Sequence, residues 1–223
     1  MTSERDALLR AGQAFAVELA ETPEMVEAAF RLRHQVYCRE RGYEQGQGQR
    51  EADHYDPHAR HVILTQCGTG RVVGTVRIVA ETGSAGPGLP MQRLLPAELL
   101  RALPLGTTGE VSRFAISKDL RDAACAGDAL LRLGLMQGVV RLSGLMGLTH
   151  WCAVMEPALL RLLRASGIHF QPLGPAIEHR GLRQPCAAAI GPLLGRLRDE
   201  RPHVWDYVTA AGALWRELET EAA

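Results

Sequence analysis

The segment from Gly109 to Ser117 has the composition of a core strand, yet it contains Glu110 and Arg113. Ionised groups inside a sheet are costly unless they are paired with an opposite charge or used in chemistry. A partly buried carboxyl group has a raised pKa, which suits proton transfer near neutral pH. Two other apolar segments also carry an arginine, at Arg33 and Arg77. These residues together predict one charged pocket.

The spacing of Glu110 and Arg113 matters because side chains three residues apart in a regular strand point to opposite faces of the sheet. Either the two residues serve different sites or a bulge lies between them. A bulge would bring them toward one side and would free backbone N–H groups to bind a carbonyl oxygen. The alternative is that Glu110 only marks the solvated start of the strand.

Two aspartates, Asp53 and Asp56, lie three residues apart in a segment rich in Gln, Gly and Asp that we expect to be a loop. They can neutralise Arg33 and Arg77, because the planar guanidinium fork binds carboxylates with paired hydrogen bonds. Such a network would hold the loop against the core. The alternative is a set of surface ion pairs, each of which stabilises the fold by about 0 to 1 kcal/mol.

Metal and nucleophile chemistry are weaker interpretations of nearby residues. Three histidines lie beside the two aspartates in a segment that lacks helical regularity, so we expect no metal site; they are His54, His58 and His61. Cys152 lies in an apolar strand and could accept an acyl group as a thiolate. More often such a cysteine is an inert core residue, because nothing cationic near it would lower its pKa.

The bulk composition limits the class of protein. The chain has 223 residues, 46% of them hydrophobic, so we expect one domain over residues 1–223. Its 25 lysines and arginines balance 25 aspartates and glutamates, which argues against a nucleic-acid binder. No segment has the length and apolarity of a transmembrane helix, and the first residues do not resemble a secretory signal, so we expect a cytoplasmic protein. The five cysteines are scattered, which indicates neither disulfides nor a zinc ribbon.

Apolar periodicity and turn signals predict alternating helices and strands with hairpins, so we expect an α/β fold with a mixed sheet. Thr22 and Pro23 suit the start of a helix that Gly42 would end. Strands are expected at residues 15–19, 61–66, 72–79, 110–117, 148–154 and 168–170, with 176–180 pairing back. Helices are expected at residues 3–12, 22–41, 97–102, 128–145, 157–167 and, interrupted at Pro202, 192–219. Residues 43–57 and 82–90 are expected to be loops.

The order and spacing of these residues resemble the acyl-homoserine-lactone synthase family. The shared pattern is Arg33-x-x-x-Tyr37, Tyr43, Glu51-x-Asp53-x-x-Asp56, Arg77 and Glu110-Val111-Ser112-Arg113-Phe114-Ala115. The chain is more similar still to acyltransferases associated with the PEP-CTERM/exosortase system and to the related N-acyl amino acid synthases. That likeness covers nearly the whole chain and rests on Val36-Tyr37-Cys38, Leu89-Pro90, residues 151–157 and residues 181–185.

The resemblance implies the GNAT-type fold of acyl-CoA N-acyltransferases. That fold is a twisted mixed sheet flanked by helices, in which two central strands splay apart around an acyl-pantetheine arm; here they would be residues 110–117 and 148–154. The resemblance implies Glu110 as the base, Arg113 at the acceptor site, and backbone N–H groups around Phe114 as donors to the oxyanion. The substrate-binding residues and ion-pair cluster that it implies comprise Arg33, Tyr37, Tyr43, Asp53, Asp56, Arg77, Ser112, Ala115, Ile116 and Trp151.

The acyl donor is expected to be a thioester of coenzyme A or of acyl-carrier protein, with no permanently bound cofactor. The nucleotide-binding loop of typical GNAT enzymes is only partly matched by residues 121–127, which makes the carrier protein a serious candidate. Basic residues could then form a landing patch for its acidic surface, or they could be a solvated helix face. They are Lys118, Arg121, Arg132 and Arg141.

The function that follows is transfer of an acyl group, expected to be long, from a thioester to the amine of an amino acid or similar small acceptor. Two alternatives stay open. The first is an acyl-homoserine-lactone synthase that uses S-adenosylmethionine, although those synthases usually have Phe and Trp at the positions of Tyr37 and Tyr43. The second is a non-catalytic module that binds an acyl chain or a carrier protein, for which Glu110 and Arg113 would not be needed together.

Overall fold

The computed structural model describes residues 8, 12–43, 48–80, 86–119 and 127–214. Its centre is an eight-stranded sheet in the order β1-β2-β3-β4-β5-β8-β6, with β7 paired to β8 outside this path. The strands are β1 Phe15–Leu19, β2 Ala59–Gln66, β3 Arg71–Ala80, β4 Thr108–Ile116, β5 His150–Met155, β6 Gln171–Pro172, β7 Ile177–Glu178 and β8 Leu182–Ala189.

Helices flank the sheet. They are α1 Pro23–His34, α2 Ala97–Leu100, α3 Asp128–Leu145, α4 Pro157–Ala165, α5 Ile190–Glu200 and α6 Pro202–Val208. Short 3₁₀ turns span Asp56–His58, Pro90–Arg93 and Leu105–Thr107. α1 begins as predicted, because the Thr22 side chain accepts a hydrogen bond from the Met25 N–H at 3.3 Å and Pro23 occupies the first turn. It continues as a π-helical turn, Gln35–Glu40, which periodicity does not reveal.

The two faces of the sheet are covered differently. α3 packs against β1, β2 and β3 on one face, where its Leu131 and Leu135 are fully buried. The approach is close, since a Cβ at Gly138 would lie 2.3 Å from Val62 Cγ1. On the other face, Phe30 of α1 meets His61 edge to face, with ring centroids 5.5 Å apart. The leucines on this face of α3 are therefore part of the core.

The sheet is mixed, as predicted, and its centre is open. β1 to β4 pair antiparallel in sequence order, and β5 pairs antiparallel with β8. The junction between these halves is the parallel pair β4 and β5, which joins only Thr108–Glu110 to His150–Cys152. Beyond those residues the two strands part, although both continue. The predicted splay is thus confirmed.

One strand was not predicted, and one predicted strand is displaced. β8 is a central strand that the sequence does not suggest, because it contains Pro185 and a run of alanines, both of which are disfavoured in strands. The strand expected at 168–170 instead pairs at Gln171–Pro172. The helix expected at 3–12 and the last residues of the one expected at 192–219 lie outside the described residues.

In the part of the chain that the structure describes, none of the helices is both long and apolar enough to span a bilayer.

Candidate active site

β4 contains a bulge at Arg113 and Phe114. These two residues lie opposite Val76 alone, because the register of β4 against β3 shifts by one residue there. Arg113 has a φ of 52°, a left-handed conformation that residues other than glycine rarely adopt. The bulge places Arg113 on the same cleft as Glu110, which confirms the bulge that their spacing predicts.

A cleft of about 320 Å³ opens where β4 and β5 part. It brings together most of the site residues predicted from the sequence: Tyr37, Tyr43, Arg77, Glu110, Ser112, Arg113, Phe114, Ile116, Lys118 and Arg132. The other lining residues on β4, β5 and α4 are largely apolar and include Val111, Val154, Met155, Ala158, Leu159 and Leu162. A wall of this kind suits an acyl chain that ends at a polar reaction centre.

Glu110 lies where β4 and β5 make their last pairing, opposite Cys152. Its side chain is almost completely buried, with 3% of the residue exposed, so it is not the solvated start of a strand. The Met91 N–H donates a hydrogen bond to its Oε2 at 2.7 Å. Burial raises the pKa of Glu110 to about 7, against the opposing effects of this hydrogen bond and of the charges on Arg77 and Arg113. A carboxylate of this pKa can accept a proton at neutral pH.

An ion-pair cluster lies against this region of the sheet. Its members are three arginines and three carboxylates, whose charges cancel: Arg33, Arg77, Arg113, Glu51, Asp53 and Asp56. The predicted pairing of Arg33 and Arg77 with Asp53 and Asp56 is confirmed. Glu51 and Arg113 are members that the sequence analysis did not include.

Arg33 is the buried centre of this cluster, with no exposed surface. Its Nη1 and Nη2 donate to the two carboxylate oxygens of Asp56 at 2.7 and 3.1 Å, and its Nε donates to Glu51. The interpretation of these residues as weak surface pairs is therefore wrong. Arg33 and Asp56 do not line the cleft, so a role for them in substrate binding stays a prediction.

Arg77 links the cluster to β4. Its Nη1 donates to Asp53 at 2.6 Å and to Asp56 at 2.8 Å, while its Nε donates to the Ser112 hydroxyl at 3.0 Å. Arg77 and Ser112 line the cleft, whereas the two aspartates do not. The loop that carries the aspartates is thus held against the sheet, as predicted.

Arg113 is engaged by the same loop. Its Nε donates to Glu51 Oε1 at 3.0 Å and its Nη2 donates to Asp53 Oδ2 at 2.8 Å. Although burial alone would lower the pKa of Arg113, Glu51 and Asp53 raise it above its ordinary value. Its charge is matched before any substrate binds, and acceptor binding by Arg113 stays a prediction.

The carboxylates of the cluster are held ionised. Burial alone would raise the pKa of Asp56, but hydrogen bonding to Arg33 and the charges of Arg33 and Arg77 lower it far below its usual range. The pKa of Glu51 is lowered by Arg33 and that of Asp53 by Arg77, in both cases against burial. Beside them, burial lowers the pKa of His61 to about 4.

The mouth of the cleft carries charged residues that motif reasoning did not assign to the site. Glu156, which follows β5, accepts hydrogen bonds from Arg41 Nη1 at 2.6 Å and from the Tyr43 hydroxyl at 3.1 Å. Arg183 of β8 approaches the same carboxylate at 3.5 Å. All four residues line the cleft. They come from distant parts of the chain, so no spacing in the sequence could have brought them together.

Two predicted substrate residues are misassigned. Trp151 has no exposed surface; its Nε1 donates to the Ser143 hydroxyl at 2.7 Å and its ring stacks on Phe170. Ala115 packs in a small buried cluster with Leu32 and Val36. Side chains of β4 and β5 that turn into the packed layers cannot reach the cleft, and only the tertiary structure distinguishes them.

Of the four basic residues predicted to contact the donor, Lys118 and Arg132 line the cleft. Arg141 is exposed on α3 and is not part of the cleft wall. Arg121 and most of the loop at 121–127 lie outside the described residues.

The structure also bears on the nucleophile and the metal site. Burial raises the pKa of Cys152 well above its ordinary value, and the residue has no exposed surface, so its thiol is a core group as the inert interpretation holds. In the described ranges, no group of three or more His, Cys, Asp or Glu side chains is arranged to hold a metal ion.

Comparisons with known proteins agree with this geometry. The family model described as N-acyl amino acid synthase FeeM matches residues 28–189, which is more than half of the chain. The curated proteins include no match. Among solved structures, FeeM, an N-acyl amino acid synthase from uncultured soil microbes, is 17% identical, with a TM-score of 0.60 over 83% of this chain and 97% of that one.

Two acyl-homoserine-lactone synthases are similar in fold. The CoA-dependent synthase BjaI in complex with MTA is 24% identical, with a TM-score of 0.63 over 88% of each chain. The synthase LasI is 21% identical, with a TM-score of 0.62 over 78% of this chain and 88% of that one.

A putative N-acetyltransferase from Lactobacillus plantarum is also similar in fold. It is 14% identical, with a TM-score of 0.53 over 78% of this chain and 96% of that one. The predicted GNAT-like fold is confirmed.

Proposed function

Because this chain belongs to the N-acyl amino acid synthase FeeM family and is an acyltransferase, we propose that Glu110 is the base that frees the acceptor amine in its cleft. The observation that carries this assignment is the buried Glu110 carboxyl group. It has a pKa of about 7 and lies at the point where β4 and β5 part. The donor thioester occupies the splay between the two strands. The link to the PEP-CTERM/exosortase system stays a prediction.

The reaction begins when Glu110, directly or through a water, removes a proton from the acceptor ammonium. The neutral amine then attacks the thioester carbonyl carbon and forms a C–N bond, and the tetrahedral intermediate collapses with cleavage of the C–S bond. The excess proton on the attacking nitrogen passes to the departing thiolate, which leaves as the free thiol, so the product is a neutral amide. Glu110 then releases to solvent the proton that it took from the ammonium. This sequence needs no redox partner and no metal.

The oxyanion of that intermediate is stabilised by backbone N–H groups at the bulged part of β4. The Ser117 N–H donates a hydrogen bond to the carbonyl oxygen of Val73 on β3 at 3.1 Å. Since successive N–H groups of a strand point to opposite sides, that of Ile116 is expected to point into the splay, where β5 does not pair with it. We therefore propose the Ile116 N–H as one oxyanion donor, and a second donor near Phe114 stays a prediction.

The donor is a pantetheine thioester, of coenzyme A or of acyl-carrier protein. Lys118 and Arg132 line the cleft beside the N-terminal turn of α3, where they can meet the phosphate that both donors carry at the end of the pantetheine arm. The apolar side chains of α4 and β5 are proposed to line the path of the acyl chain.

The test is an assay of free-thiol release with acyl-CoA and acyl-carrier protein donors of several chain lengths. Acceptors are the twenty amino acids, simple amines and S-adenosylmethionine, and mass spectrometry identifies the products. Acyl amino acids are the expected products, and lactones would instead support the homoserine-lactone alternative. No thiol release with any pair would support a binding module and overturn the proposal. Full turnover by a folded Glu110→Gln variant would remove Glu110 from the mechanism.

A further inference from the structure

We propose that the mouth of the cleft contains a subsite for the carboxylate of an amino-acid acceptor, with Arg183 and Arg41 as its anion-binding groups. The inference rests on the proposed function, because it presumes that the amine of the same acceptor reaches Glu110. It names residues that set acceptor specificity, and it gives this role to the mouth of the cleft rather than to Arg113.

The mouth of the cleft carries more positive than negative side chains. Arg77 and Arg113 also line the cleft, but their charges are matched by the three carboxylates of the ion-pair cluster. At the mouth, two arginines share the single carboxylate of Glu156: Arg41 at 2.6 Å and Arg183 at 3.5 Å. Among the residues that the structure describes, these three side chains together carry a net charge of +1, which favours an anionic ligand.

Arg183 has the donors to bind that ligand. A guanidinium group carries five N–H donors. Its Nη1 donates to the carbonyl of Leu182 at 3.0 Å, and the separation of 3.5 Å from Glu156 is longer than an N–H···O hydrogen bond usually is. Only 13% of the Arg183 side chain is exposed, so a carboxylate that enters the cleft meets a largely desolvated guanidinium group.

The two arginines are also held in position before substrate binds. Both guanidinium groups lie over the ring of Tyr43, at 5.7 Å for Arg41 and 5.5 Å for Arg183. The Tyr43 hydroxyl donates to the same Glu156 oxygen that Arg41 contacts, at 3.1 Å. Because their rotamers are already restricted, binding costs less conformational entropy than it would with free side chains.

The distance between base and subsite fits one amino acid. Glu110 is level with Cys152, and Glu156 follows four residues later along the chain. At about 3.3 Å per residue, that separation is about 13 Å along the strand direction. Arg183 lies on β8, two strands from β4, which adds about 10 Å across the sheet and makes the separation about 16 Å. A glutamate side chain, an arginine side chain and the acceptor between them can together bridge it, with the ammonium at Glu110 and the carboxylate at Arg183.

The test compares acceptors that differ only in the carboxylate. The probes are leucine, leucinamide and 3-methylbutylamine, the corresponding phenylalanine set, and the set built on whichever amino acid reacts fastest in the screen above. The variants are Arg183→Gln and Arg183→Lys, with Arg101→Gln as the matched control. Arg101 is 76% exposed and does not line the cleft. Circular dichroism and thermal unfolding confirm that each variant is folded.

In Arg183→Gln we expect the KM for the amino acid to rise about 10- to 100-fold, as loss of a charged hydrogen-bonded pair implies. The KM values for the amide, the amine and the acyl donor should stay unchanged. The KM of Arg183→Lys for the amino acid should lie between those of the wild type and Arg183→Gln, because lysine keeps the positive charge but cannot form the paired hydrogen bonds of a guanidinium group. Comparing variants on the same acceptor cancels differences in amine reactivity.

The inference is overturned if the wild type uses acid and amide with equal KM, or if Arg183→Gln raises the KM of both equally. It is also overturned if Arg101→Gln reproduces the effect. Failure of the wild type to release thiol with every acceptor would contradict the proposed function itself. The two proposals therefore fail in different ways.

Discussion

The hydroxyl of Tyr37 donates a hydrogen bond to the backbone carbonyl of Phe114 across 3.2 Å. Tyr37 lies in the π-helical turn after α1, and Phe114 is the second residue of the β4 bulge. The bond thus joins the helix that carries Arg33 to the strand that carries Glu110. It fixes the direction of one peptide group in the bulge, next to the proposed oxyanion donors.

Tyr37→Phe removes this bond and little else. We expect kcat to fall up to about tenfold with KM nearly unchanged, and the free energy of unfolding to fall by about 1 kcal/mol. Steady-state kinetics and urea unfolding measure the two effects. Tyr55→Phe is the matched control, because the buried Tyr55 hydroxyl has no hydrogen-bond partner in the described part of the chain. If both variants behave alike, the Tyr37 bond does not orient the bulge.

Glu110 gives the rate a pH dependence of known sign. A base must be deprotonated, and the pKa of Glu110 is raised by burial to about 7. We expect kcat/KM to increase as pH rises from 6 to 8 and to level off above that range. Glu110→Gln should be far slower and should lose this dependence. A wild-type profile that is flat from pH 5 to 8 would contradict the assignment.

The same carboxyl group affects stability in the opposite direction. Its pKa is higher in the folded state than the ordinary value of 4.5, so the folded state loses stability as pH rises from 4.5 to about 7. The full difference corresponds to about 3 kcal/mol. Urea unfolding of Glu110→Gln against wild type should show a variant that gains relative stability between pH 4.5 and 8. A constant difference over that range would mean that Glu110 titrates normally.

Removal of Arg33 should destabilise the fold strongly. Arg33→Met leaves the buried carboxylates of Glu51 and Asp56 without their closest partner, and breaking a buried pair in this way costs about 3 to 5 kcal/mol. Arg31→Met on the same helix is the control, since the Arg31 side chain is 69% exposed and its ion pair with Glu27 is long, at 3.6 Å. We expect that variant to change stability by less than about 0.5 kcal/mol. Chemical denaturation measures both, and equal losses would show that the cluster is not the cause.

Cys152 should take no part in acyl transfer. Burial raises the pKa of its thiol, so we expect iodoacetamide to leave it unmodified in the folded protein while the exposed Cys67 reacts. Cys152→Ala should keep most of the turnover, with a modest loss of stability from the small cavity. An acyl-enzyme found on Cys152 by mass spectrometry would reverse this conclusion.

The local elements were predictable because their signals are local. Thr22 and Pro23 mark the start of α1, the glycines at 68 and 70 mark the turn of the hairpin, and the apolar pattern of 128–145 gives the bounds of α3. β8 was not predictable, since its strand character comes from pairing with β5 on one side and β6 on the other. Tertiary pairing there overrides the low strand propensity of proline and alanine.

The sequence by itself determined which groups are candidates for the site: a glutamate and an arginine in a core strand, two further arginines and a pair of aspartates, with equal numbers of positive and negative charges. Only the tertiary structure decided which of these groups contact one another. The bulge places Arg113 in the ion-pair cluster with Glu51 and Asp53, and the fold brings Arg41, Glu156 and Arg183 together at the mouth of the cleft. The physical reason is that ion pairing and burial depend on distances in space, and residues far apart in the sequence come close only when the sheet has formed.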